Sequence, residues 1–245
     1  MFRSYYKLIS FFLFINFISI DIFSQFFNSG NELFNLKWKY INDKKFKIIF
    51  PEKLDTVAFK TINYLNYYSK ILDTIYTSNY LKFPVIIHKN TIISNGFVTY
   101  GPKRSEFFIF PYPFNYPGTD LNNLVSHEII HMYQTNKLKN GFTKILNYLI
   151  GDASMGIAIL NLPFWYIEGD AVYYETKLSG SGRGNLSTFV DTYKEYIKEN
   201  RNASYDKTYF GSYKTYVPSI YHSGYFFVDF LYKKYDENFG EKLLY

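Results

Sequence analysis

His127 and His131 lie four residues apart in "LVSHEIIHMYQ" (124 to 134), with Glu128 beside the first. Residues i and i+4 of an α-helix stand one above the other on one face, so this spacing sets both imidazoles toward a single partner only if the segment is helical. The surrounding sequence agrees. Thr119 or Asp120 offers an N-cap, and the helix is expected to run to about Lys139. Two histidines so placed suit a metal ion, and Glu128 is the residue type to take a proton from a water activated there.

Such a site needs a third protein ligand and an open fourth position. The candidate is Glu168 in "LPFWYIEGDAVYYE" (162 to 175), on a helix expected from Pro163 to about Leu178. Residues 132 to 167 leave room for a helix pair that returns this second helix across the first. Gly169 and Ala171 are small enough to let the two approach closely. Phe164, Trp165, Tyr166 and Ile167 give Glu168 an apolar surround, where an unpaired carboxylate is costly.

There is no cysteine among the 245 residues, which excludes disulfides and thiolate metal sites. Zinc here would be held by His and carboxylate, the ligand set of catalytic rather than structural zinc. Apolar residues make up 47% and aromatics 22%, enough to bury a sizeable core. The net charge of +6 comes from cations scattered singly and in pairs, such as Lys44-Lys45 and Lys233-Lys234, so it reads as a solvated surface with no nucleic acid as partner.

The N-terminus carries a basic start (Arg3, Lys7), an apolar stretch from Leu8 to Ile20 and a small residue at Ser24. This is a signal-peptide pattern, with residues 1–24 expected to be removed and 25–245 to form the working domain. An uncleaved N-terminal anchor is the alternative. Either way the domain is exported to the periplasm, the cell surface or the medium. The ending "GEKLLY" carries no stop signal and leaves open a continuation beyond Tyr245.

Along the chain, "NLKWKYINDKKFKIIF" (35 to 50) reads as two strands around a turn, and Pro51 to Tyr76 as a helix started by the proline. "FPVIIHK" (83 to 89) reads as a buried strand, with His88 at its end and not a ligand. "GFVTYG" (96 to 101) and "EFFIFP" (106 to 111) form a strand pair, followed by the loop "PYPFNYPGTD" (111 to 120). Gly141 to Leu160 is apolar with helical spacing. "SGSGRG" (179 to 184) reads as a mobile rim. Helices are expected from about Ser187 to Asn200 and from about Pro218 to Tyr235. The class is α+β: a small N-terminal mixed sheet with helices, then a mostly helical half carrying the His pair and Glu168.

HExxH followed by Pro163-x-Trp165-x-x-Glu168-Gly169-x-Ala171 resembles the gluzincin metallopeptidases of the peptidase MA-like superfamily. "NGFVTYGPKRSEFFIFP" (95 to 111), "HEIIHMYQ" and "FWYIEGDAVYYETKLSGSGRG" are similar to segments of exported MA-like proteins of Bacteroidetes-type bacteria, which are often followed by a β-propeller. The likeness covers roughly residues 80 to 225. It implies a zincin-like fold, Zn²⁺ on His127, His131 and Glu168, Glu128 as general base and a peptide or protein as substrate. It further implies a hydrogen-bond donor for the transition state from a later helix, for which "SIYHSGYFF" (219 to 227) offers Tyr221 first, then His222, then Tyr225. The spacing from His131 to Glu168 exceeds that of the best-known gluzincins, which bears on substrate class more than on metal binding.

Glu175 and Asp170 are candidates to orient the ligating imidazoles; Glu175, seven residues past Glu168, is near its face and Asp170 is not. The strand around Phe107 to Phe110 is expected at the sheet edge, where an extended peptide could pair with it. The alternative functions are a non-catalytic MA-like binding or scaffold module of a cell-surface or periplasmic assembly, and a membrane-anchored interaction protein.

Overall fold

Alternating apolar residues build the sheet. In β2 (Phe46–Pro51) Phe46, Ile48 and Phe50 face inward, and in β3 (Phe83–His88) Phe83, Val85 and Ile87 do the same. β1 (Trp38–Asn42) pairs antiparallel with β2; β2 and β3 are parallel, joined by α1 (Asp55–Ile75). β5 (Lys103–Phe108) pairs parallel with β3, and β4 (Asn95–Tyr100) antiparallel with β5. The order is β1-β2-β3-β5-β4, a five-stranded mixed sheet. The computed structural model describes residues 32–76, 81–92, 94–100, 102–110, 120–199, 203–236 and 238–244. They belong to one unit, Glu32–Tyr245. The proposed signal segment lies outside them, as does most of the 111–120 loop.

Three expectations are corrected. Phe107 and Phe108 are not on an edge strand: β5 is enclosed between β3 and β4, and β4 is the outer strand beside it. Pro51 ends β2 opposite Trp38 and does not start the helix; Asp55 does, after a turn in which Lys53 has φ 79°. Gly180–Gly184 is not a loose rim, since Ser181 Oγ contacts Asn123 Oδ1 at 3.1 Å and Gly184 N–H donates to Thr176 Oγ1 at 2.9 Å.

α2 (Leu121–Leu138) starts on Asp120, whose side chain accepts the Asn123 N–H at 2.9 Å. It is buried on almost every side. Val125, Ile129, Met132 and Tyr133 enter the core against the sheet and α1. A hairpin of α3 (Gly141–Ile150) and α4 (Ala153–Leu160) follows. It delivers the chain to α5 (Phe164–Ser179), which crosses α2 and ends on left-handed Gly180. A 3₁₀ turn at Arg183–Asn185, α6 (Ser187–Lys198), α7 (Tyr205–Phe210), α8 (Ile220–Tyr235) and α9 (Asn238–Leu243) complete the described chain. α5 and α8 make the most extensive helix contact. Among the described residues no helix is long and apolar enough to cross a membrane.

Candidate metal centre

α5 buries three carboxylates, Glu168, Asp170 and Glu175, and each needs a partner. Asp170 accepts from Tyr76 and Tyr232 hydroxyls, both at 2.6 Å, and from Gln134 Nε2 at 2.7 Å. Glu175 accepts from Arg183 Nη2 at 2.8 Å and lies 3.1 Å from His127 Nδ1. Glu168 is different. Its Oε2 is buried without a hydrogen bond among the described residues.

That oxygen faces the His pair. Glu168 Oε2 is 3.4 Å from His127 Nε2 and 3.5 Å from His131 Nε2, and the two Nε2 atoms are 3.2 Å apart. Ligand atoms bound tetrahedrally at about 2.0–2.2 Å from one ion stand roughly 3.3–3.6 Å from each other. The three atoms therefore form a triangle of the size one small cation requires, and this buried group could hold a metal ion.

The charges agree. Burial would raise the Glu168 carboxyl, but His131 and His127 beside it hold it well below the usual carboxylate range. Burial would lower the His131 imidazole, but the Glu168 carboxylate outweighs this and lifts it to about 9. A proton on His131 thus balances Glu168, and an arriving cation would displace it.

The outward nitrogens are held as well. His131 Nδ1 meets Gln134 Oε1 at 2.9 Å, and Gln134 is fixed by its own bonds to Asp170 and the Ile167 carbonyl. His127 Nδ1 lies near both Glu175 Oε2 and Arg183 Nη2 (2.7 Å). With its proton on Nδ1 and donated to Glu175, His127 would present the Nε2 lone pair to the ion position, while Arg183 donates to the same carboxylate. Glu175 is depressed to about 2: burial opposes this, but His127 and Arg183 prevail. Such outer partners typically set metal affinity within about 10- to 100-fold. Glu175→Gln is expected to weaken the metal by a factor in that range, read by competition with a chelator. An unchanged affinity would remove Glu175 from the support of the site.

Glu128, next to His127, turns to the sheet edge. A Cβ on Gly96 of β4 would lie 2.7 Å from Glu128 Cγ and 2.9 Å from its Oε1, so the carboxyl occupies the space this glycine leaves. Burial raises its pKa, and Oε2 has no hydrogen bond among the described residues.

Tyr221 on α8 reaches the group. Its ring centroid is 6.5 Å from that of His127, the Arg183 guanidinium lies 5.0 Å over its ring, and its hydroxyl interacts with Glu168. Burial and then the Glu168 charge keep the phenol protonated. The structure does not bring His222 or Tyr225 to the group. His222 stacks on Phe189 at 4.1 Å with Nδ1 on Ser219 Oγ, and Tyr225 packs against Phe189 and Phe226. His88 pairs with Glu106 at 2.9 Å and stacks on Phe108, away from the ligands.

Sequence reasoning missed Gln134, Arg183 and Gly96. Gln134 was accessible as the i+3 neighbour of His131, and Gly96 as a lone glycine in a strand, which often marks a close approach. Gly169 was given the wrong partner: its Cβ would lie 2.3 Å from the Gly224 carbonyl carbon, so it admits α8 and not α2. No family model matches this chain, and no curated protein matches it either.

Proposed function

We propose that this chain is an exported, zinc-dependent metallopeptidase domain of gluzincin type, hydrolysing peptide bonds. The observation that carries the proposal is the triangle of His127 Nε2, His131 Nε2 and Glu168 Oε2, the last buried without a hydrogen bond among the described residues. Two imidazoles and one carboxylate are the donor set of hydrolytic zinc sites. A bound Zn²⁺ would supply Lewis acidity and a water of lowered pKa.

The chain's own residues take the remaining roles. Glu128 holds its carboxyl between the His pair and β4 and accepts the proton of the attacking water. The protonated Tyr221 hydroxyl donates a hydrogen bond to the oxyanion as it develops. β4 is the outer strand next to Glu128, the place in the sheet where an extended peptide could pair. Arg183 holds Glu175 and through it the His127 ring. A scaffold would need the ligands but has no use for a Glu128 buried beside them with its Oε2 unbonded among the described residues.

Elemental analysis of the purified full chain tests the reading. About one zinc per chain is expected, as a single three-ligand site requires, with loss of the metal in His131→Ala. Metal content unchanged by that substitution would refute the assignment.

A further inference from the structure

α3 wears its apolar side outward. None of its ten residues is buried. Phe142 is 72%, Ile145 61%, Tyr148 92% and Leu149 70% exposed. Phe142, Ile145 and Leu149 follow at i, i+3 and i+7 and so form one stripe. The polar Asn147 lies on the other side and is spent inside the hairpin, its Nδ2 donating to Ser154 Oγ at 3.3 Å and Asp152 Oδ1 at 3.4 Å. α4 adds exposed Ile157 and Leu160. A helix on a water-facing surface normally shows the reverse arrangement, and a contiguous apolar patch of this kind marks an interface.

The charges beside the patch indicate what covers it. Lys139 precedes α3 and Lys144 lies on it; Lys103 at the start of β5 is within electrostatic reach of Lys139 and of Asp152. Asp152 is the one acidic residue between 137 and 167, and Asn147 already engages it. An apolar helical face framed by lysines, with aromatic Phe142 and Tyr148 among its aliphatics, is the composition that seats in the boundary between lipid headgroups and acyl chains. Each lysine near an anionic leaflet adds electrostatic attraction to the apolar burial. Helices of ten and eight residues are too short to span a bilayer but long enough to lie along it.

We infer that the α3–α4 hairpin docks on a lipid bilayer carrying anionic headgroups, with Phe142, Ile145, Tyr148 and Leu149 entering the interface and Lys139 and Lys144 meeting lipid phosphates. This inference is independent of the metal centre.

The absence of cysteine makes a site-resolved test direct. Leu149→Cys in the full chain would carry an environment-sensitive dye, and Lys198→Cys on the exposed end of α6 would serve as reference. Both positions are exposed, so neither substitution disturbs packing. With vesicles containing phosphatidylglycerol, the Leu149 dye is expected to shift to the blue and lose its quenching by aqueous iodide. The reference dye should stay unchanged, and neutral phosphatidylcholine vesicles should give a weaker response. Because the readout is local, membrane binding by another segment does not reproduce it. A Leu149 dye that iodide still quenches with vesicles present would overturn the inference. So would a blue shift without vesicles that grows with protein concentration, which would assign the face to a second copy of the chain. Equal responses to neutral and anionic vesicles would overturn the role of the lysines.

Discussion

Glu128→Gln is expected to fold, to keep its metal and to lose at least about a hundredfold in peptide hydrolysis. Glu128 is not part of the ligand triangle, so its replacement leaves His127, His131 and Glu168 in place. Glutamine has the same shape and fills the same space over Gly96, but it cannot accept a proton. A positioned general base contributes about 10²- to 10⁴-fold, and burial that raises the Glu128 pKa brings it nearer the range where such a base works best. A fluorogenic peptide library, assayed alongside metal content, provides the measurement. Hydrolysis at the wild-type rate with metal bound would remove Glu128 from the mechanism. A wild type that cleaves no member of the library, with Glu128→Gln matching it in partner binding, would favour a binding module.

The second large effect is on stability. Asp170→Ala is expected to destabilise the fold by roughly 3 kcal/mol, because each buried donor left unsatisfied costs about 1–3 kcal/mol. Three donors lose their acceptor at once: the hydroxyls of Tyr76 and Tyr232 and the amide of Gln134. The sum is offset in part, since burial raises the Asp170 pKa and removing a desolvated carboxyl relieves that strain on the fold. Gln134 also loses a restraint, so the His131 ring it holds becomes looser and metal affinity falls with stability. Urea unfolding reads the first effect and chelator competition the second. A midpoint equal to wild type would show that this network adds no net stability.

Much of the chain's organisation was legible because it is local. The strands follow from period-two apolar patterns such as that of Phe46, Ile48 and Phe50, and α2 follows from its Asp120 cap and helical spacing. Strand order was not legible. Whether β5 or β4 takes the edge depends on how residues 89 to 102 return to β3, which no local pattern records. Arg183 escaped notice because its partner Glu175 lies eight residues back across a glycine-rich turn, and only the turn's geometry folds the one onto the other. His222 shows the opposite case. Neighbours on a helix point about 100° apart, so Tyr221 and His222 could not both face the metal group, and that much was available from the sequence. The short helices α7 and α9 are too brief to show a period.

The crossing of α5 and α8 at Gly169 and Gly224 has a consequence for how this domain could diversify. Glu168 precedes the first glycine and Tyr221 stands one turn before the second. Between them is main chain against main chain: a Cβ on Gly224 would lie 2.2 Å from the Trp165 carbonyl oxygen. In most helix pairs the separation drifts over evolutionary time as packed side chains are exchanged for larger or smaller ones. No such exchange is open here, because there is no side chain to enlarge or trim and any addition forces the backbones apart. The offset between the carboxylate and the phenol is therefore set by the backbones themselves, as a fixed gauge. If the proposed activity holds, a change of substrate would fall to parts free to vary in length, such as the hairpin between the second histidine and Glu168 and the loops around β4.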